Sequence, residues 1–259
     1  MTELPEYKLR AVFFDVDDTL LPTTEFAKTA REGAIKSLIN RMKIYGMPVN
    51  KRRIKKLLNQ AVKDLGSSSD KHIDALVERL KVPEEKRSRL ISSGISGYRK
   101  ARAMLEPFPE TIATLRALKS NAGAGYRLYG ISEGVGKYQW AKLQETDLDW
   151  LLDDSFITSD YKFRSKNKEF YQKALEMTCL EGKYCLMVGN RIDSDIIPAR
   201  ACGMHTARLL AGRYKNLRVD GEEDAEYRIK NIEDVLRIIP LIEKAENDRL
   251  KSLIADLTK

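Results

Sequence analysis

Three aspartates, Asp15, Asp17 and Asp18, stand in the string Asp15-Val16-Asp17-Asp18-Thr19-Leu20, directly after the apolar run Ala11-Val12-Phe13-Phe14. Such a run predicts a strand buried on both faces. Asp15 then falls where the strand leaves the sheet, which is where open α/β folds bind ligands. A carboxylate there is costly to bury alone, so a bound cation is the economical explanation of the cluster. The competing explanation is an aspartate-rich turn that caps the next helix.

Three later segments fit a site better than a cap. Leu128-Tyr129-Gly130-Ile131-Ser132-Glu133-Gly134 reads as a strand that ends in a hydroxyl, and backbone N–H groups after such a strand can hold an anion. Lys166 stands just before a predicted helix, in a basic loop with Lys162, Arg164 and Lys168. A fixed ammonium can neutralise a transferring anionic group and hold a carboxylate in its ionised form, with Lys168 as the alternative. The last segment, Leu186-Met187-Val188-Gly189-Asn190-Arg191-Ile192-Asp193-Ser194-Asp195, is a second buried strand running into acidic residues.

Other chemistries find less support. The only histidines are His72 and His205, and neither lies in a motif for a Ser-His-Asp hydrolase or a zinc site. Cys185 and Arg191 formally fit the C-x5-R spacing of cysteine-dependent phosphatases, but the intervening residues read as mid-strand, which would bury the thiol. Cysteines at 179, 185 and 202, odd in number, fit a reducing compartment. No apolar run reaches membrane-spanning length, so the expected setting is cytoplasmic with no membrane partner.

The elements that must position these residues alternate after Pro109. Helix 109–120, strand 126–131, helix 135–146, a strand near 156–158 and helix 167–178 are followed by strand 184–188, helix 194–202 and strand 206–209. A short strand near 227–229 and a charged terminal helix complete the set. Strands alternating with helices predict a parallel sheet, which the strand over residues 9–14 must join. Between Glu25 and Arg102 the apolar spacing is helical, with breaks at Gly46 to Asn50, Gly66 to Asp70 and near Pro83, and predicts four or more helices. The expected organisation is thus a three-layer, Rossmann-like α/β core over 1–21 and 106–259, with an all-helical domain inserted at 22–105. Residues 22–105 hold 20 Lys and Arg against 8 Asp and Glu, a balance of +12 that leaves −4 for the rest. That charge could attract an anionic substrate or could be a solvated helix face.

With its four segments in this order, the sequence resembles the haloacid dehalogenase superfamily of phosphatases, with a helical cap inserted after the first motif. The resemblance implies Asp15 as the nucleophile that accepts a phosphoryl group and Asp17 as the general acid and base. It implies Ser132 and Lys166 as further catalytic groups, and Thr19, Ser132, Glu133 and Lys166 as groups on the substrate. Mg²⁺ would be held by Asp15, the Asp17 carbonyl and Asn190, with Asp195 or Asp193 in support. Relatives usually carry Asp at the Asn190 position and often Asn at the Glu133 position. Physical chemistry suits these roles: an acyl phosphate divides one hard hydrolysis into two easier ones, and a second carboxylate can move the protons.

The activity so implied is Mg²⁺-dependent hydrolysis of a small phosphorylated metabolite, by a monomer or weak homodimer whose helical insertion acts as a mobile lid. A phosphomutase would use the same motifs. A non-catalytic anion- or nucleic-acid-binding protein is the reading from another class, motivated by Asn190 and the run Lys51-Arg52-Arg53-Ile54-Lys55-Lys56. No aromatic residue interrupts that run to stack on bases, so nucleic acid is not the expected partner.

Overall fold

The computed structural model describes residues 6–66, 69–120, 125–217 and 224–257. Ser67 and Ser68, within the expected break at Gly66 to Asp70, lie outside them. The chain divides into two compact units, Met1–Pro22 with Glu106–Lys259, and Thr23–Leu105.

The first unit is built on six parallel strands in the order β3-β2-β1-β4-β5-β6. These are β1 (Ala11–Asp15), β2 (Arg127–Ser132), β3 (Asp154–Ile157), β4 (Cys185–Gly189), β5 (His205–Leu209) and β6 (Tyr227–Ile229). Every residue of β1 and β4 is buried, as continuous apolar runs require of central strands covered on both faces. Alternation divides them between the two helical layers. Ala11 and Phe13 join Tyr129, Phe156, Phe170, Tyr171 and Met187 in one cluster, while Val12 and Phe14 point to the other face.

The chain leaves β1, later returns to β2 and β3 on one side, and then crosses to β4 on the other. The strand order therefore reverses beside β1, and open α/β sheets bind ligands at the carboxyl ends of the strands flanking such a point, here β1, β2 and β4. Register brings those ends level, with Phe14 opposite both Gly130 and Val188.

The second unit holds helices α1 (Thr23–Ile44), α2 (Lys51–Leu65), α3 (His72–Arg79) and α4 (Glu84–Arg102). Ile35, Leu38, Ile54, Leu58, Leu76 and Leu90 fill its core. Helices α1 and α4 cross so closely that a Cβ on Gly97 would lie 2.4 Å from the Gly33 carbonyl oxygen, a contact only glycine permits. Lys51 to Arg53, Lys55 and Lys56 are all exposed.

Helices α5 (Thr111–Ser120), α6 (Gly136–Glu145), α7 (Lys168–Thr178), α8 (Ile197–Arg200) and α9 (Val235–Leu257) complete the first unit. Among the described residues no helix is long and apolar enough to cross a membrane. One element departs from expectation. The helix predicted over 194–202 begins instead as a π-helical turn over Ile192–Ile196, and only Ile197–Arg200 is α-helical. The cause is the Asp195 side chain, which folds back to accept the Arg191 N–H at 2.8 Å and widens the turn. Gly189 makes room for it, since a Cβ there would lie 2.5 Å from the Asp195 Cβ.

Candidate active site

Asp15 ends β1, Ser132 ends β2 and Asn190 follows β4, so three adjacent strand ends bring three of the predicted groups to the same edge of the sheet. Lys166 arrives from the loop before α7. Asn167 caps that helix by accepting the Phe170 N–H at 3.0 Å, which fixes where the loop stops and the helix starts. Lys166 is buried and Lys168 is exposed on the first turn of α7, and of the two lysines it is Lys166 that meets Asp15.

The Lys166 ammonium lies between two carboxylates. It is ion-paired with Asp15 Oδ1 and, at 2.5 Å, with Asp195 Oδ1. All three side chains are at least nine-tenths buried. Burial alone would depress the lysine, but the charges and hydrogen bonds of Asp15 and Asp195 outweigh it and hold the ammonium well above its ordinary value. Burial pushes the Asp15 carboxyl up, with Lys166 opposing and Asp195 adding to the rise. With both carboxylates ionised, two of them around one ammonium would leave the cluster one negative charge in excess.

Thr19 was expected on the substrate. It is fully buried, and its hydroxyl donates to Asp15 Oδ2 at 3.0 Å, so it orients the Asp15 carboxylate from within the fold. Glu133, also expected on the substrate, accepts the Lys166 backbone N–H at 3.4 Å and braces the lysine loop. Asp193 pairs with Arg191 at 2.9 Å and is largely exposed. The Asp195 carboxylate is taken up by Lys166, the Arg191 N–H and, at 3.4 Å, the Ser194 hydroxyl.

Two of the groups predicted from the sequence each have a buried side-chain oxygen without a partner. Ser132 Oγ and Asn190 Oδ1 have no hydrogen bond among the described residues, and a buried orphan of that kind points to a missing ligand. The residues fit a hard cation: Asn190 Oδ1 is an unsatisfied oxygen donor, and the Asp15 cluster offers two carboxylates against one ammonium. No three His, Cys, Asp or Glu side chains among the described residues form a cage.

Asp17 is held by residues that sequence reasoning missed. Lys142 Nζ is ion-paired with Asp17 Oδ1, and Gln139 Nε2 donates to Asp17 Oδ2 at 3.3 Å. Both belong to α6, three residues apart on one face. The one signal was a glutamine on the apolar side of a helix that starts just after Ser132.

Cys185 opens β4, fully buried, with its thiol pushed up to about 12 by burial. It is no thiolate nucleophile. Cys185→Ala is expected to cost about 1 kcal/mol of stability for the lost buried volume and to leave turnover unchanged. Thermal melts and steady-state rates check both; a lost rate in a folded variant would reinstate the cysteine.

Comparison with known proteins points the same way. A family model described as haloacid dehalogenase-like hydrolase matches residues 9–203. A glyceraldehyde 3-phosphate phosphatase of Methanocaldococcus jannaschii is 32% identical, over 91% of this chain and 99% of its own. A phosphatase of the same name from Methanothermobacter thermautotrophicus is 36% identical, over 76% of this chain and 83% of its own. The solved structure of the HAD-hydrolase YfnB of Bacillus subtilis, bound to magnesium, shares the fold with a TM-score of 0.61 at 17% identity, over 90% of this chain and 99% of that one.

Proposed function

The chain belongs to the haloacid dehalogenase-like hydrolase family and is a phosphatase of that family, and from that membership we propose that it hydrolyses a small phosphomonoester through an aspartyl-phosphate intermediate with Mg²⁺ as cofactor. The observation that carries this reading is the buried Asp15–Lys166–Asp195 cluster at the end of β1, with Asp17 two residues on.

In the first step an oxygen of Asp15 attacks phosphorus and the bond from phosphorus to the substrate oxygen breaks. The proton on Asp17 passes to that leaving oxygen. In the second step Asp17 takes a proton from water, whose oxygen attacks the acyl phosphate. The bond from phosphorus to Asp15 breaks, releasing inorganic phosphate and restoring the carboxylate. Lys166 neutralises charge on the phosphoryl oxygens, and the unpartnered Ser132 hydroxyl donates to one of them. Asp15, the Asp17 carbonyl and Asn190 would hold Mg²⁺, which when bound supplies further charge neutralisation at the phosphoryl group.

Glyceraldehyde 3-phosphate is the first substrate to test, because the archaeal relatives carry its name. All the groups above lie in the α/β unit, and substrate choice is assigned to the helical unit Thr23–Leu105 as a cap. Three free cysteines accord with a cytoplasmic setting. Inorganic phosphate release over a panel of small phosphate esters, with Mg²⁺ and with chelator, tests the reading. Release from at least one ester, lost on chelation, is expected. An isomerised product that keeps its phosphate would indicate a mutase, and an inert panel would contradict hydrolysis.

Asn190→Asp is expected to tighten Mg²⁺ binding by roughly tenfold, since it adds a charge to a ligand that now offers only an amide oxygen. Calorimetric titration measures this. An unchanged affinity would put the cation elsewhere.

A further inference from the structure

Helix α6 grips Asp17 by both carboxylate oxygens, through Lys142 on Oδ1 and Gln139 on Oδ2. The Gln139 amide is itself fixed. Its Nε2 also donates to the Glu133 carbonyl at 2.9 Å, and two acceptors on one atom leave a single assignment of nitrogen and oxygen. The residue is 8% exposed, and its Oε1 has no partner among the described residues.

The helix that carries these groups is tied to the sheet. The Gly136 N–H donates to Ser159 Oγ at 2.7 Å and Trp140 Nε1 to Asp160 Oδ2 at 2.9 Å, both on the turn after β3. Stability does not account for the arrangement. The Lys142 side chain is only 15% exposed and Asp17 35%, so a long flexible side chain is immobilised, at an entropic cost, for a pair that is still partly screened by solvent.

We propose that Lys142 and Gln139 are positioning residues for Asp17, holding its carboxylate so that the proton given to the leaving oxygen and the proton taken from water travel along one fixed direction. This rests on the reading of Asp17 as the acid–base group. Between the two half-reactions Lys142 also offsets the charge left on Asp17.

The test is single-turnover phosphorylation with glyceraldehyde 3-phosphate and with p-nitrophenyl phosphate, whose good leaving group needs little protonation. The variants are Asp17→Asn, Lys142→Met, Lys142→Arg, Gln139→Leu and the double variant Asp17→Asn/Lys142→Met, each checked for its fold by circular dichroism. Lys142→Met should slow the alkyl phosphate by roughly 10- to 100-fold, with a much smaller loss on p-nitrophenyl phosphate and little change in KM. Gln139→Leu should show the same pattern, weaker. Lys142→Arg should recover most of the rate. The double variant should be no slower than Asp17→Asn alone, because Lys142 acts through the missing carboxylate.

A raised KM at constant kcat would make Lys142 a substrate ligand and overturn the proposal. So would additive losses in the double variant, losses independent of leaving group, or no loss at all. Asp17→Asn separates the two levels: a leaving-group-dependent loss there, with none in Lys142→Met, overturns the positioning role alone. No such loss in Asp17→Asn removes the acid–base reading and the proposal with it.

Discussion

Asp15→Asn is expected to reduce turnover by roughly 10⁴-fold or more while the protein becomes no less stable. The amide keeps the shape of the carboxylate and can still accept the Thr19 hydroxyl that now bonds Oδ2 at 3.0 Å. It cannot attack phosphorus. In the folded protein Lys166 retains Asp195 at 2.5 Å as its counter-charge, so the substitution removes the excess negative charge from a dry cluster and relieves a desolvation penalty. Rates and chemical denaturation check the two halves of this expectation. A near-normal rate would take Asp15 out of the mechanism, and a large loss of stability would mean that the charge count in the cluster is wrong.

Lys166→Met should move stability the other way. It leaves Asp15 and Asp195, 4% and 0% exposed, facing each other without a cation. Breaking a buried pair from one side costs about 3–5 kcal/mol. Turnover should also fall, by roughly 10²- to 10³-fold, for loss of a fixed charge at the phosphoryl oxygens. Denaturation midpoints for this variant and for Asp15→Asn form the informative pair: a clear drop is expected for the lysine and none for the aspartate. Equal effects would mean that the three groups do not share one electrostatic cluster.

Much of this was legible in the sequence because buried central strands advertise themselves. The runs Ala11 to Phe14 and Leu186 to Val188 are apolar without alternation and stop at Asp15 and Asn190, so strand ends and polar groups could be located together. Lys166 was legible through its position just before a capped helix.

What stayed hidden depended on contacts across the sheet. Lys142 lies 125 positions from Asp17 in the chain, and on an amphipathic helix a lysine reads as solvated face until the fold supplies its partner. Thr19 was assigned outward, to a substrate, and is observed bonded to Asp15. The π-helical turn was hidden because its cause, the return of Asp195 to the Arg191 N–H, is a side-chain event that helix periodicity does not encode. Asp193 and Asp195, two residues apart, could not be ranked by spacing. The structure separates them by burial, with Asp195 inside the cluster and Asp193 exposed beside Arg191.

In the proposed reaction Asp15 carries the phosphoryl group between two half-reactions. Its most direct test is acid quenching, within one turnover, of enzyme mixed with Mg²⁺ and a phosphate ester labelled in its phosphorus, followed by peptide mapping of the protein-bound label. The label should be stable in acid, released by hydroxylamine as an acyl phosphate is, and confined to the peptide containing Asp15. Product formation at full rate with no protein-bound label at any quench time, or a label on another residue, would contradict it.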